Sequence, residues 1–115
     1  MCVKPNKKEN QVMQSIEQNN KELVKEFIEV FWNQNKLDST TNFLSLDYKD
    51  YSYGSTEGLK QFANAIFTGF PGSHYTIEEI VSQGETVITR LEFTGTNSGF
   101  LRGNGPTRNS VKVAL

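Results

Sequence analysis

A chain of 115 residues with a formal net charge of −1 makes one domain, long enough to bury roughly two-thirds of its unfolded surface. Its single cysteine, Cys2, excludes a disulfide framework, and interspersed charges of both signs exclude the basic footprint of a nucleic-acid binder. No apolar run approaches the ~18 residues of a membrane span, and no apolar segment follows the basic start MCVKPNKKEN, so a cytoplasmic protein is expected.

Residues 1–13 are rich in Lys, Asn and Gln and are expected to form a flexible tail ahead of one domain over 14–115. A first helix is predicted over 15–33. Ile16, Leu23, Phe27, Val30 and Phe31 recur at three-, four- and seven-residue spacings, and Val24, Ile28 and Trp32 widen the stripe. Asn33-Gln34-Asn35-Lys36 should stop it, because asparagine tolerates the left-handed backbone of a C-terminal cap. A short helix over 37–46 follows, capped by Asp38 or Ser39, and then a short strand over 47–53 with Tyr51 and Tyr53 on one face.

The third helix is predicted over 55–69, capped by Ser55 or Thr56, with Leu59, Phe62, Ala63, Ile66 and Phe67 at helical spacing. Pro71-Gly72 turns the chain into a strand over 74–82. Tyr75 and Ile77 share a face there and Ile80 falls out of phase, which implies a bulge near Glu78-Glu79. The strongest strand signal is TVITRLEFTGT, 86–96. Val87, Thr89, Leu91 and Phe93 lie on one face and Ile88, Arg90, Glu92 and Thr94 on the other, the pattern of a half-buried antiparallel strand. After a Gly- and Asn-rich loop over 97–109, alternation resumes in SVKVAL, where Val111, Val113 and Leu115 share a face. The fold class is α+β, with helices laid across a curved antiparallel sheet.

Chemistry has few carriers. His74 is the lone histidine, the side-chain type that changes charge near neutral pH; with Asp50 to orient it, it could act as a base, or it could sit solvated at a strand end. Asp50, or Asp47, could serve as acid or base if it faced an apolar pocket, or could cap a helix or face water. Arg90 could hold a carboxylate or enolate oxygen, or pair across strands on the outer face. Trp32, Tyr51, Tyr53, Phe62, Phe67 and Phe70 either line an apolar ligand pocket or pack as core. No metal cluster and no Cys/His nucleophile pair is evident, and FLRGNG lacks the setting of a phosphate loop.

Several segments carry a family likeness. NKELVKEFIEVFWNQNKLD matches an opening helix with a W-N-x-G-(D/N) exit, Asn35 standing in the glycine slot. EGLKQFANAIFTGFPGSHYTIEEIVSQGETVITRLEFTGTNSG matches a helix, F-P turn, strand and G-T-x-x-G hairpin, and GNGPTRNSVKV a G-x-x-P-T-G-x-x-V loop. In this order they resemble SnoaL-like polyketide cyclases and related ester cyclases, with the cone-shaped fold of the nuclear transport factor 2-like superfamily. The resemblance implies a pocket between the sheet's concave face and the helices. It implies a polycyclic ester held there, an acidic residue acting as general acid/base for an aldol closure, and no metal or organic cofactor.

The resemblance also implies a last strand after Leu115 carrying the key Asp, and often a His at the position of Tyr51. A C-terminally truncated member is therefore expected. It would be a pocket protein for a small apolar or aromatic ligand, with its catalytic apparatus largely absent, or else a non-catalytic oligomeric scaffold. An uncovered sheet edge invites association, so a homo-oligomer (dimer or tetramer) is expected, with Val111, Val113 and Leu115 at or near the interface.

Overall fold

The computed structural model describes residues 7–45, 48–49 and 52–115. Helices pack on one face of an antiparallel sheet, the expected α+β arrangement. Helix α1 spans Lys7–Phe27 and runs straight into a wider, π-type turn, Ile28–Asn33. The helix starts eight residues ahead of the predicted 15, so 7–13, read as tail, are helical.

The predicted apolar stripe needs a second correction. Val24, Phe27, Ile28 and Phe31 face the core, whereas Ile16 and Leu23 are exposed. Among the described residues the core meets only the C-terminal half of α1, and the tip of the β1–β2 hairpin reaches its middle, where Gly84 N–H donates to Glu17 Oε2 at 3.1 Å. Asn35 ends the π turn in the left-handed region, at φ 55°.

The predicted helix over 37–46 is two short pieces, a 3₁₀ turn Leu37–Ser39 and helix α2, Thr40–Phe43. Ser39 does not cap the second piece. Its hydroxyl donates back to the Lys36 carbonyl at 2.6 Å. The strand predicted over 47–53 is absent among the described residues there, with Asp47, Asp50 and Tyr51 lying outside them. Tyr53 instead accepts from Ser55 N–H at 3.0 Å in the tight turn that opens helix α3, Thr56–Gly69. Ser55 caps α3 as predicted, its hydroxyl accepting from Gly58 N–H.

Strands β1 (His74–Gln83), β2 (Thr86–Thr96) and β3 (Ser110–Ala114) form a sheet in the order β1-β2-β3. Tyr75 pairs with Phe93 and Ile77 with Leu91; then Glu79 pairs with Arg90, which leaves Glu78 as the bulge the phase break implied. On the other side Phe93 pairs with Val113 and Gly95 with Val111, and Leu91 and Leu115 exchange both backbone hydrogen bonds. The loop after β2 is pinned by one buried side chain. Asn97 Nδ2 donates to the carbonyls of Gly69 and Gly99, and Asn97 Oδ1 accepts from both the backbone and the hydroxyl of Thr107. All four of its hydrogen-bonding capacities are used, which makes its burial affordable.

Candidate functional site

Two apolar clusters share the π turn. Phe31, fully buried, packs with Leu59 and Ala63 between the helices. Ile28 packs with Tyr75 and Phe93 against the sheet. Trp32 touches both clusters, its ring edge-on to Phe31 at 5.0 Å and tilted on Tyr75 at 5.2 Å. A π turn holds one more residue than an α turn, and such turns recur at functional sites. Here the wide turn spans the residues from Phe31, packed between the helices, to Trp32, turned toward the sheet.

Beside Trp32 lies a pocket of about 370 Å³. Helix α3 contributes Phe62 and Ile66, and Tyr53 comes from the turn before it. The sheet contributes Tyr75, Leu91, Phe93, Val113 and Leu115. Aromatic rings form a continuous chain along it. Tyr53 stacks on Phe62 at 4.5 Å, Phe62 meets Trp32 edge-on at 6.3 Å, and Tyr75 lies 5.0 Å from Phe93.

Tyr75 is the polar group most firmly built in. Its backbone is gripped by Asn33, which accepts from Tyr75 N–H at 2.7 Å and donates to Tyr75 C=O at 3.0 Å, as a neighbouring strand would. The same Asn33 amide donates to Glu29 at 3.1 Å. That bond, with a weaker one from Gln34 and the nearby His74, holds the Glu29 carboxyl below its ordinary value although it is fully exposed. Burial pushes the Tyr75 phenol up to about 12, with Tyr53 adding to the effect. The phenol therefore stays protonated at physiological pH and can donate to a carbonyl oxygen.

The predicted site residues divide. Trp32, Tyr53 and Phe62 come together in the pocket. Phe70 lies just outside it, edge-on to Phe93 at 5.6 Å, and Phe67 is 38% exposed at the end of the α3 stripe. Val113 and Leu115 line the pocket, while Val111 packs on the sheet-side core. Arg90 is on the outer face, 3.4 Å from Glu79 across the bulge, so it cannot reach a ligand in this pocket. That exposed pair is worth under about 1 kcal/mol. His74 also points away, Nδ1 lying 3.3 Å from Thr76 Oγ1. Asp50 and Tyr51 lie outside the described residues.

Sequence reasoning missed Tyr75, Ile66, Leu91 and Phe93 as pocket residues. Part of the signal was present, because Tyr75 shares a predicted strand face with Ile77, and Phe93 with Leu91. Among the described residues, no group of three His, Cys, Asp or Glu is placed to hold a metal. Nor is any helix among them long and apolar enough to cross a membrane.

Comparison with known proteins places this geometry. No curated protein matches the chain significantly. Among solved structures, a protein from Jannaschia sp. CCS1 assigned as a SnoaL-like polyketide cyclase is similar over 86% of this chain and 74% of its own, at 22% identity and a TM-score of 0.74. AclR from Streptomyces galilaeus, assigned as a hydroxylase, is similar over 85% of this chain and 67% of its own, at 22% identity and a TM-score of 0.73. IdmH from Streptomyces antibioticus, assigned as a polyketide cyclase, follows at 19% identity and a TM-score of 0.67, over 83% of this chain and 77% of its own. These identities speak to the fold. The sequence profile described as SnoaL-like polyketide cyclase matches residues 22–115, nearly the whole chain, and the chain belongs to that family.

Proposed function

We propose that the pocket beside Trp32 binds a small, flat, largely apolar molecule of aromatic or polycyclic kind. One observation carries this reading: a cavity of about 370 Å³ lined by aromatic and aliphatic side chains, with no charged side chain in its lining. That volume sits at the low end of the roughly 300–1,000 Å³ of small-molecule sites. Tyr53 and Tyr75 supply the polar tips, and a protonated Tyr75 phenol suits a carbonyl or enol oxygen. Membership of a polyketide-cyclase family supports a polycyclic ligand of that type.

A thermal-shift series with naphthoquinone, anthraquinone and larger ring systems tests this. The midpoint should rise with ligand concentration, as it must for anything that binds only the folded state. No rise with any ring system would overturn it. Asp50, which lies outside the described residues, is the proposed acid–base group. Asp50→Asn should then abolish turnover of a bound polycyclic substrate while leaving its binding intact, and unchanged turnover would remove Asp50 from that role.

A second reading, association between copies, is favoured by a separate observation. On the outer face Ile88 is 67% exposed and pairs across the strands with Val81, also exposed, while Val113 and Leu115 are exposed at β3. Light scattering after size exclusion should show a dimer or tetramer at micromolar concentration, and a monomer would refute it.

A further inference from the structure

A second cavity, of about 510 Å³, adjoins the ligand pocket. Tyr53 and Phe62 line both, so their stacked rings form a wall between the two. The second cavity is not apolar. Gln61 of α3 lines it, and so does Arg102. Among the described residues Arg102 forms no ion pair.

Arg102 is also held in an unusual way. It occupies the first central position of a two-residue hairpin, at φ 49°, with Gly103 following at φ 86°. Leu101 and Asn104 close that hairpin with hydrogen bonds of 2.9 and 3.0 Å. Turns with two positive φ values favour Asn, Asp or Gly, and an L-residue with a long side chain costs about 1 kcal/mol there. The turn is anchored as well. Leu101 packs against Gly69, and Gly99 N–H and Asn97 Nδ2 both donate to the Gly69 carbonyl. Among the described residues Arg102 thus has no ion-pair partner, and its backbone is fixed next to an aromatic pocket whose lining holds no charged side chain, with the Arg102 and Gln61 side chains exposed.

Resting on the ligand-pocket reading above, we propose that Arg102 and the Gln61 amide form a carboxylate subsite. The ligand is then an aromatic or polycyclic carboxylic acid rather than its neutral ester. Its rings sit against Trp32 and Tyr75, and its carboxylate reaches past the edge of the Tyr53–Phe62 wall. One guanidinium beside a neutral amide matches a single negative charge, and the planar fork of donors matches the two oxygens of a carboxylate.

Trp32 is the only tryptophan in the chain and lines the pocket, so its fluorescence reports binding. Titration with anthracene-2-carboxylate and with its methyl ester should show the acid binding about three- to tenfold tighter, the preference shrinking at high salt. Arg102→Asn suits the left-handed turn better than arginine, so the variant folds. It should bring the acid down to the ester's affinity and leave the ester unchanged. Arg108→Asn removes the same charge at another left-handed position, φ 65°, away from both cavities, and should keep the preference. Equal binding of acid and ester by the wild type, or equal losses in both variants, would overturn the subsite and leave the pocket standing. No binding of either compound would overturn the pocket and the subsite together.

Discussion

The helix-side core and the sheet-side core are built from one turn, yet one is closed and the other open. Phe31 has no exposed surface, and it is enclosed by Leu59, Ala63 and the rings of Phe27 and Trp32. One residue on, Trp32 borders a cavity that Leu91, Phe93 and Tyr75 do not fill. Both sides are aromatic and equally apolar, so composition cannot tell them apart. What differs is the partner surface. Leu59 and Ala63 lie a helical turn apart and close over Phe31. The open space lies between Phe62 and Ile66 of α3 and the inner face of the sheet, with Trp32 at its side. A closed core of this kind stabilises the fold, and an open one leaves room for a ligand.

That contrast can be broken by mutation. Phe31→Ala should cost about 3–5 kcal/mol, because the tightly packed surroundings collapse little. Leu91→Ala, which enlarges a space already present, should cost less than about 2 kcal/mol. Urea denaturation of both variants measures the difference, and equal losses would mean the two cores are packed alike.

Asn33 joins the two regions, and Asn33→Asp sharpens the point. It removes the donor to Tyr75 C=O and places a second carboxylate beside Glu29. A loss of about 2 kcal/mol at neutral pH is expected, partly recovered in mild acid where the new carboxyl is protonated.

Alkaline pH acts on the open side. The folded protein keeps the Tyr75 proton up to about 12, whereas an unfolded chain releases it near the ordinary value of about 10. Stability from the buried neutral phenol is therefore complete below pH 10 and is lost as pH rises from 10 to 12. The loss should be about 1–2 kcal/mol, and Tyr75→Phe should abolish that part of the pH dependence. In a spectrophotometric titration, Tyr75 should ionise above the ordinary tyrosine range, and Tyr75→Phe should remove that part of the curve.

The smallest effects concern two left-handed residues. Arg108, at φ 65°, stands where the P-T-G loop pattern has glycine, so Arg108→Gly should stabilise by about 0.5 kcal/mol. Asn35→Gly at φ 55° should change little, since asparagine already tolerates the conformation.

Much of this fold was legible in the sequence because local pattern and tertiary packing agree. The limits of β2, the bulge at Glu78 and the Ser55 cap follow from alternation and turn chemistry alone. Asn35 was readable as a left-handed stop for the same reason. The misplaced stripe on α1 had a different origin. Ile16 and Leu23 fit helical periodicity as well as Val24 and Ile28 do, and only the position of the sheet decides which are covered. Arg90 was similarly ambiguous, since alternation assigns it to a face without saying which face meets the helices. A third of the pocket lining was visible, as Trp32, Tyr53 and Phe62. The rest required knowing that Tyr75, Phe93 and Val113 align across three strands, which is register rather than composition.

The central claim is that the space beside Trp32 is a ligand site rather than a packing defect. Leu91→Trp tests it most directly, by placing an indole in the cavity, with calorimetric titration of an anthraquinone into wild type and variant. The expected result is saturable one-to-one binding by the wild type and none by a variant at least as stable. Undiminished binding by a stably folded variant, or no binding by the wild type, would contradict it.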